Sequence, residues 1–148
     1  MIIGAFHGKG RRAGTYGTYL LGTLDEERGL YTSVAKVGTG FSDEDLAKIP
    51  KLLMPYEAQV KPPDVESKMV PDVWFRPHMV IEIIAAELTL SPIHTAAMGR
   101  VRPGAGISLR FPKFTGKIRD DKSPQDATTV KEILGMYNRQ LKKVEATS

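Results

Sequence analysis

The chain has 148 residues, a formal net charge of +4 and no cysteine, which suits one domain around one core and excludes a disulfide scaffold or a cysteine-ligated metal site. No apolar run approaches the ~20 residues that span a bilayer and no signal-peptide pattern opens the sequence, so a soluble chain without a membrane partner is expected. The positive balance favours an anionic partner, and its placement sharpens that: residues 1–24 hold Lys9, Arg11 and Arg12 with no acid, and no acid falls between Leu88 and Arg119.

Residues 1–7 are apolar and strand-like, an abrupt opening that reads as a domain cut from a longer protein. The run GKGRRAG (residues 8–14) follows as a basic, glycine-punctuated turn. Its glycines nominally fit a dinucleotide fingerprint, but that motif needs a helix after it and a strand is expected here, at 16–24. Nucleic-acid backbone is the better candidate for Lys9, Arg11 and Arg12, against the plain alternative of a solvated basic turn. Residues 25–29 (DEERG) form a hairpin connection into a third strand at 30–37. Ser42 with Asp45 three residues on predicts a capped helix to about Leu53, with Leu46, Ile49 and Leu53 at helical spacing.

Residues 55–71 form an irregular excursion interrupted by Pro62-Pro63. Trp74 and Phe75 beyond it are expected to close that loop rather than stack a base. Residues 79–90 read as one β-branched strand that puts Glu82 and Glu87 on opposite faces, which excludes a paired acid–base site. Residues 107–111 read as the last strand: Ile107, Leu109 and Phe111 alternate with Ser108 and Arg110. Pro112 ends its pairing, so Lys113, Lys117 and Arg119 are expected in a bend. Thr129 caps a final helix over 129–146 whose apolar face is Val130, Ile133, Leu134, Tyr137, Leu141 and Val144. His7, His78 and His94 share no metal-ligand spacing, and no metal site is expected in this chain. The pattern is all-β dominated: a five-stranded OB-fold Greek-key barrel, with a short helix between strands 3 and 4 and a C-terminal helix. One domain is expected over 1–148, with the barrel in 1–128.

Residues 106–122, GISLRFPKFTGKIRDDK, continue to Pro124 and Ala127-Thr128-Thr129. This order resembles motif VI, the C-terminal signature of ATP-dependent DNA ligases in the covalent nucleotidyltransferase superfamily. GAFHGKGRRAGTYGTYLLGTLD, KVGTGFSDEDL and VIEIIAAELTLSPIH are similar to the C-terminal OB domain of the archaeal and eukaryotic replicative ligases. The Phe114-Thr115-Gly116 insertion within the motif is archaeal-like.

The resemblance implies an ATP-dependent ligase using Mg²⁺, in which Arg110, Lys113 and Lys117 serve catalysis and, with Arg119, bind nucleotide phosphates. Lys113 and Lys117 stand where many relatives carry Arg, and a lysine offers a point charge rather than a fork. Lys9, Arg11, Arg12 and Phe111 would bind nicked double-stranded DNA, Phe111 as a minor-groove wedge, although strand alternation alone would put it in the core. The implied partners are an adenylation domain of the same polypeptide and, through other domains, a sliding clamp. The implied location is archaeal cytoplasm, with the nucleoid. The family's nucleophilic lysine lies in K-x-D-G, which this chain lacks, so the chain alone is expected not to self-adenylate. Two other readings stay open: a non-enzymatic OB module binding single-stranded nucleic acid, and the OB domain of an mRNA-capping guanylyltransferase.

Overall fold

The structure, a computed structural model, describes residues 1–147, with side chains through residue 141. Strands β1 (Ile2–His7), β2 (Tyr16–Asp25) and β3 (Leu30–Val37) form an antiparallel meander. It becomes the centre of a six-stranded sheet by adding β4 (Glu57–Ala58), β5 (Val65–Glu66) and β6 (Val73–Phe75), in the order β4-β6-β1-β2-β3-β5. The meander is apolar on both faces because successive side chains point to opposite sides of a pleated strand. Ile2, Tyr19, Leu21 and Val37 enter the main core with Ile49, Phe75, Ile107 and Phe114. Their neighbours Ile3, Leu20 and Tyr31 enter a second cluster with Val65 and Val80. The irregular excursion thus has a purpose: it supplies Val65 and Met69 to cover the outer face of the sheet. Trp74 packs on this second cluster and Phe75 is fully buried in the main one, so both serve packing.

Helix α1 (Asp43–Leu53) begins where its capping residues require. The Asp45 amide donates to Ser42 Oγ at 3.1 Å, and the Ser42 amide donates to Asp45 Oδ2 at 3.0 Å. Ile49 and Leu53 are buried beneath it. The barrel is closed by β7 (Ile81–Ile84), β8 (Glu87–Ser91), β9 (Gly106–Arg110) and β10 (Lys113–Ile118). β8 pairs with β9 and β10 with β7, both antiparallel, and the Ala96 amide joins this half to Ser33 O at 2.9 Å.

Three expectations are corrected here. The strand expected over 79–90 is two strands, broken at Ala85-Ala86, so Glu82 and Glu87 lie on different strands with different partners. The last strand is β10, not 107–111, and the cations after Pro112 continue in a strand rather than a bend. One irregularity accounts for both: at Phe111, whose φ is +53°, the ladder is interrupted, and it resumes beyond Pro112 in the same register, with Lys113 opposite Ile84 as Arg110 is opposite Glu87. The Ala86 amide donates to Arg110 O at 3.0 Å at that division. The excursion is also less irregular than expected, since β4 and β5 lie within it.

Helix α2 (Val130–Thr147) is capped by Thr129, whose Oγ1 accepts from the Glu132 amide at 3.2 Å. Val130 and Ile133 are buried, and Leu134 and Tyr137 pack on the main core. Gln140 acts as a substitute strand at the edge of β8: its Nε2 donates to Leu88 O and its Oε1 accepts from Leu88 N, both at 2.8 Å. The helix therefore docks on the barrel. Leu141 is exposed, and Val144 lies outside the described side chains. Among the described residues no helix is long and apolar enough to cross a membrane.

Candidate nucleic-acid interface

Phe111 sits at the interruption between β9 and β10 with a left-handed backbone, and the residue is 70% exposed. An L-residue pays for that conformation, and a large aromatic in it is uncommon. The exposure removes the core reading of Phe111 that alternation allowed. Arg110 precedes it, exposed, with its guanidinium carbon 5.3 Å from the Phe111 ring centroid. Lys113 follows it, also exposed. The arms are rigid: Arg110 is paired with Glu87, Lys113 with Ile84, and the buried Phe114 stacks on Phe41 at 4.8 Å. Further along β10, register slips between Phe114 and Ile118, where Gly116 has φ +94°. The Phe114-Thr115-Gly116 segment thus opens a bulge that turns the exposed Lys117 out of the ladder.

Arg119 differs from its neighbours. Its Nε and Nη2 donate to the two oxygens of Asp121 at 2.9 and 2.8 Å, and that bidentate bond holds the Asp121 carboxyl at about 2. A phosphate would have to compete with Asp121 for this side chain, whereas Arg110, Lys113 and Lys117 form no ion pair among the described residues.

The glycine-punctuated turn has the same division. Lys9 and Arg11 are exposed, but Arg12 is half-buried and its Nη1 donates to Gly17 O and Gly38 O, each at 2.6 Å. Arg12 was expected as a DNA contact; here it works first as the fastener of its own loop. Its bond to Gly38 also explains how two basic segments a hundred residues apart in sequence become neighbours. Thr39 O accepts from the Phe114 amide at 2.9 Å. Gly40, at φ +93°, fits so close to the Phe114 backbone that a Cβ would collide with it. The turn at residues 38–40 thus touches the Arg12 loop on one side and the start of β10 on the other, and Lys9, Arg11, Phe111 and Lys113 share that end of the barrel.

Arg100, upstream in the same acid-free run, does not join them. Arg100 lines a cleft of about 540 Å³ with Asp25, Glu27 and Arg28, at the β2–β3 hairpin end of the barrel. There Arg28 bridges Asp25 and Glu66 at 2.8 Å each. The acid-free run of the sequence is therefore split between two ends of the molecule. Sequence reasoning also passed over Lys36, whose Nζ lies 4.1 Å from the Phe6 ring centroid; a lone charge within an otherwise uncharged strand was the available signal. Among the described residues no three acidic or histidine side chains converge to hold a metal ion.

Residues 12–122 match the family model described as the ATP dependent DNA ligase C terminal region. The chain is 52% identical over 142 residues to a DNA ligase of Pyrobaculum islandicum, covering 96% of this chain and 24% of that protein. It is 54% identical over 145 residues to a DNA ligase of Ignicoccus hospitalis, covering 98% and 24% respectively. It spans about a quarter of the length of these relatives. Among solved structures, the ligase domain of M. tuberculosis LigD has the same fold, with a TM-score of 0.60 at 23% identity over 86% of this chain and 36% of that one. A mycobacterial DNA ligase D solved with ATP and MES gives 0.58 at 25% identity, again over 86% and 36%.

Proposed function

The chain belongs to the C-terminal region family of ATP-dependent DNA ligases, and from that premise we propose that its basic corner serves two tasks in strand joining. In one it closes on a nucleotide held by an adenylation domain of the same polypeptide; in the other it grips nicked duplex DNA. The observation that carries this reading is the rigid, exposed corner Arg110–Phe111–Lys113, which meets the Lys9–Arg11 loop through the turn at residues 38–40.

The reaction needs a lysine to attack the α-phosphate of ATP, breaking the bond to pyrophosphate, before AMP passes to a 5′-phosphate and a 3′-hydroxyl displaces it. This chain lacks the K-x-D-G lysine, so its part is electrostatic. Arg110 and Lys113, with Lys117 behind them, fit the negative charge that collects on departing pyrophosphate. They are exposed on β9 and β10, on either side of Phe111, which suits reaching over a nucleotide seated elsewhere. Mg²⁺ would be held largely by other groups of the full-length enzyme. On DNA, Lys9 and Arg11 would meet phosphates, which positions the duplex without reading its sequence. Phe111 would press into the minor groove beside the nick. All other Phe, Tyr and Trp residues are buried or half-buried, so a row of base-stacking rings for single strands is not on offer. Work on nicked DNA would place the enzyme with the nucleoid, and any sliding-clamp contact would fall to domains outside this chain.

The test uses a full-length ligase carrying this domain. Arg110→Ala is expected to slow self-adenylation by ~10²–10³ and to slow sealing of a nick that already carries AMP much less, because no pyrophosphate leaves in that step. Equal loss in both assays would overturn the assignment of Arg110 to the leaving group.

A further inference from the structure

Lys36 is anomalous in its strand. It is exposed, while Ala35 and Val37 on either side are fully buried. Lys36 pairs with Leu20, and Phe6 pairs with Thr18 one step along the same sheet. This puts the ammonium on the outer face, at the end where the Arg12 loop and Gly38 meet. It stands 4.1 Å from the centre of the half-buried Phe6 ring and forms no ion pair among the described residues. On that edge Asp72 accepts from the His7 amide at 2.9 Å.

A lysine has two uses in such a place. Its stem can cover the open end of the second apolar cluster, to which Phe6 belongs, with the charge merely solvated. Alternatively its charge is held ready for an anion: an ammonium already resting on an aromatic face has less rotamer freedom to lose when a phosphate arrives. The position favours the second use, because the charge borders the loop that carries Lys9 and Arg11.

Resting on the DNA-gripping role proposed for that loop, we propose that Lys36 is a further phosphate contact, extending the basic face from the glycine-punctuated turn onto the outer side of the β1–β2–β3 sheet. The contact is to the backbone of duplex DNA, so it adds affinity without sequence preference.

Binding of the chain to nicked duplex would be followed by fluorescence anisotropy from roughly 50 to 200 mM salt. The variants are Lys36→Met, Lys36→Arg, the double change Lys9→Ala with Arg11→Ala, and Lys61→Met, a lysine lining the cleft at the hairpin end. Lys36→Met keeps the apolar stem and removes only the charge. Its melting temperature should match the parent, while its log K against log salt should be shallower by about 0.9, so that about three-fold less affinity is lost across that range. Lys36→Arg should keep the parental slope and Lys61→Met should stay close to it. If Lys36→Met melts early, Lys36→Gln gives the same comparison. Should the Lys36 variants bind as Lys61→Met does while the double variant weakens, this inference is wrong and the loop's role stands. If no variant alters binding, both fail.

Discussion

Phe111 shows most directly what one residue contributes. Its backbone is left-handed and its ring is exposed, so neither packing nor conformation rewards it, and features of this kind concentrate at working sites. Phe111→Gly should leave stability equal or higher by up to ~1 kcal/mol in urea titrations, because relief of the positive-φ strain outweighs the extra freedom glycine gives the unfolded chain. The same change should weaken binding to nicked duplex. A loss of roughly 3–5 kcal/mol, as for a buried aromatic, would return Phe111 to the core. His94 gives a pH dependence. It is 8% exposed, and burial lowers its pKa from the ordinary 6.5. Below that value the unfolded chain binds a proton that the folded chain resists. Stability is therefore full above pH 6.5 and declines as pH falls through it towards the folded pKa. Urea titrations at several pH values should show this slope, and His94→Gln should flatten it. Tyr19 is a plainer case, since its hydroxyl is buried with no hydrogen-bond partner among the described residues. Tyr19→Phe should be neutral or stabilising in the same titrations.

At the scale of elements, the two helices are held differently. α1 is set by its own cap and by burial of Ile49 and Leu53. α2 carries Gly135, which lowers helicity by ~1 kcal/mol against alanine, and it relies on docking through Val130, Ile133 and the Gln140 bridge to Leu88. Amide exchange in the chain by itself should therefore be slow from about Ile133 to Gln140 without any second domain. Gln140→Ala should speed exchange at Leu88 and cost about 1–3 kcal/mol, since a half-buried strand edge loses its partner. Unchanged exchange at Leu88 would remove Gln140 from this role. The start of α1 and the three-strand meander were legible because periodicity and capping act within a few residues. The division of residues 79–90 into β7 and β8 was not legible: nothing near Ala85 announces a break. The break lies opposite the left-handed Phe111, more than twenty residues away in sequence.

For the whole molecule, charges separate into those fixed by the fold and those left for a partner. Arg12 and Arg119 are committed to Gly17, Gly38 and Asp121, whereas Lys9, Arg11, Arg110 and Lys113 are exposed and form no ion pair among the described residues. Replacing Lys9 and Arg11 by alanine should make the salt dependence of nick binding shallower by about 1.8, at about 0.9 per contact, with near-normal adenylation in the full-length enzyme. Arg12→Ala should instead cost stability, on the order of 1–3 kcal/mol, by leaving two loop carbonyls without their donor. If it changed the salt slope by a full contact at unchanged stability, Arg12 would be a DNA ligand after all.

From its residues alone the chain determined its meander, its caps, its lack of the K-x-D-G nucleophile and the order of cations in motif VI. All of these are written in local periodicity or in linear pattern. Only the tertiary structure decided which cations are available. Arg12 and Arg119 were indistinguishable in sequence from Lys9 and Arg110, and Arg100 looked continuous with the motif it precedes. Whether a guanidinium is free depends on which carbonyl or carboxylate the fold brings within about 3 Å of it, and here those were set by the loop around Gly38 and by the strand that follows Phe111.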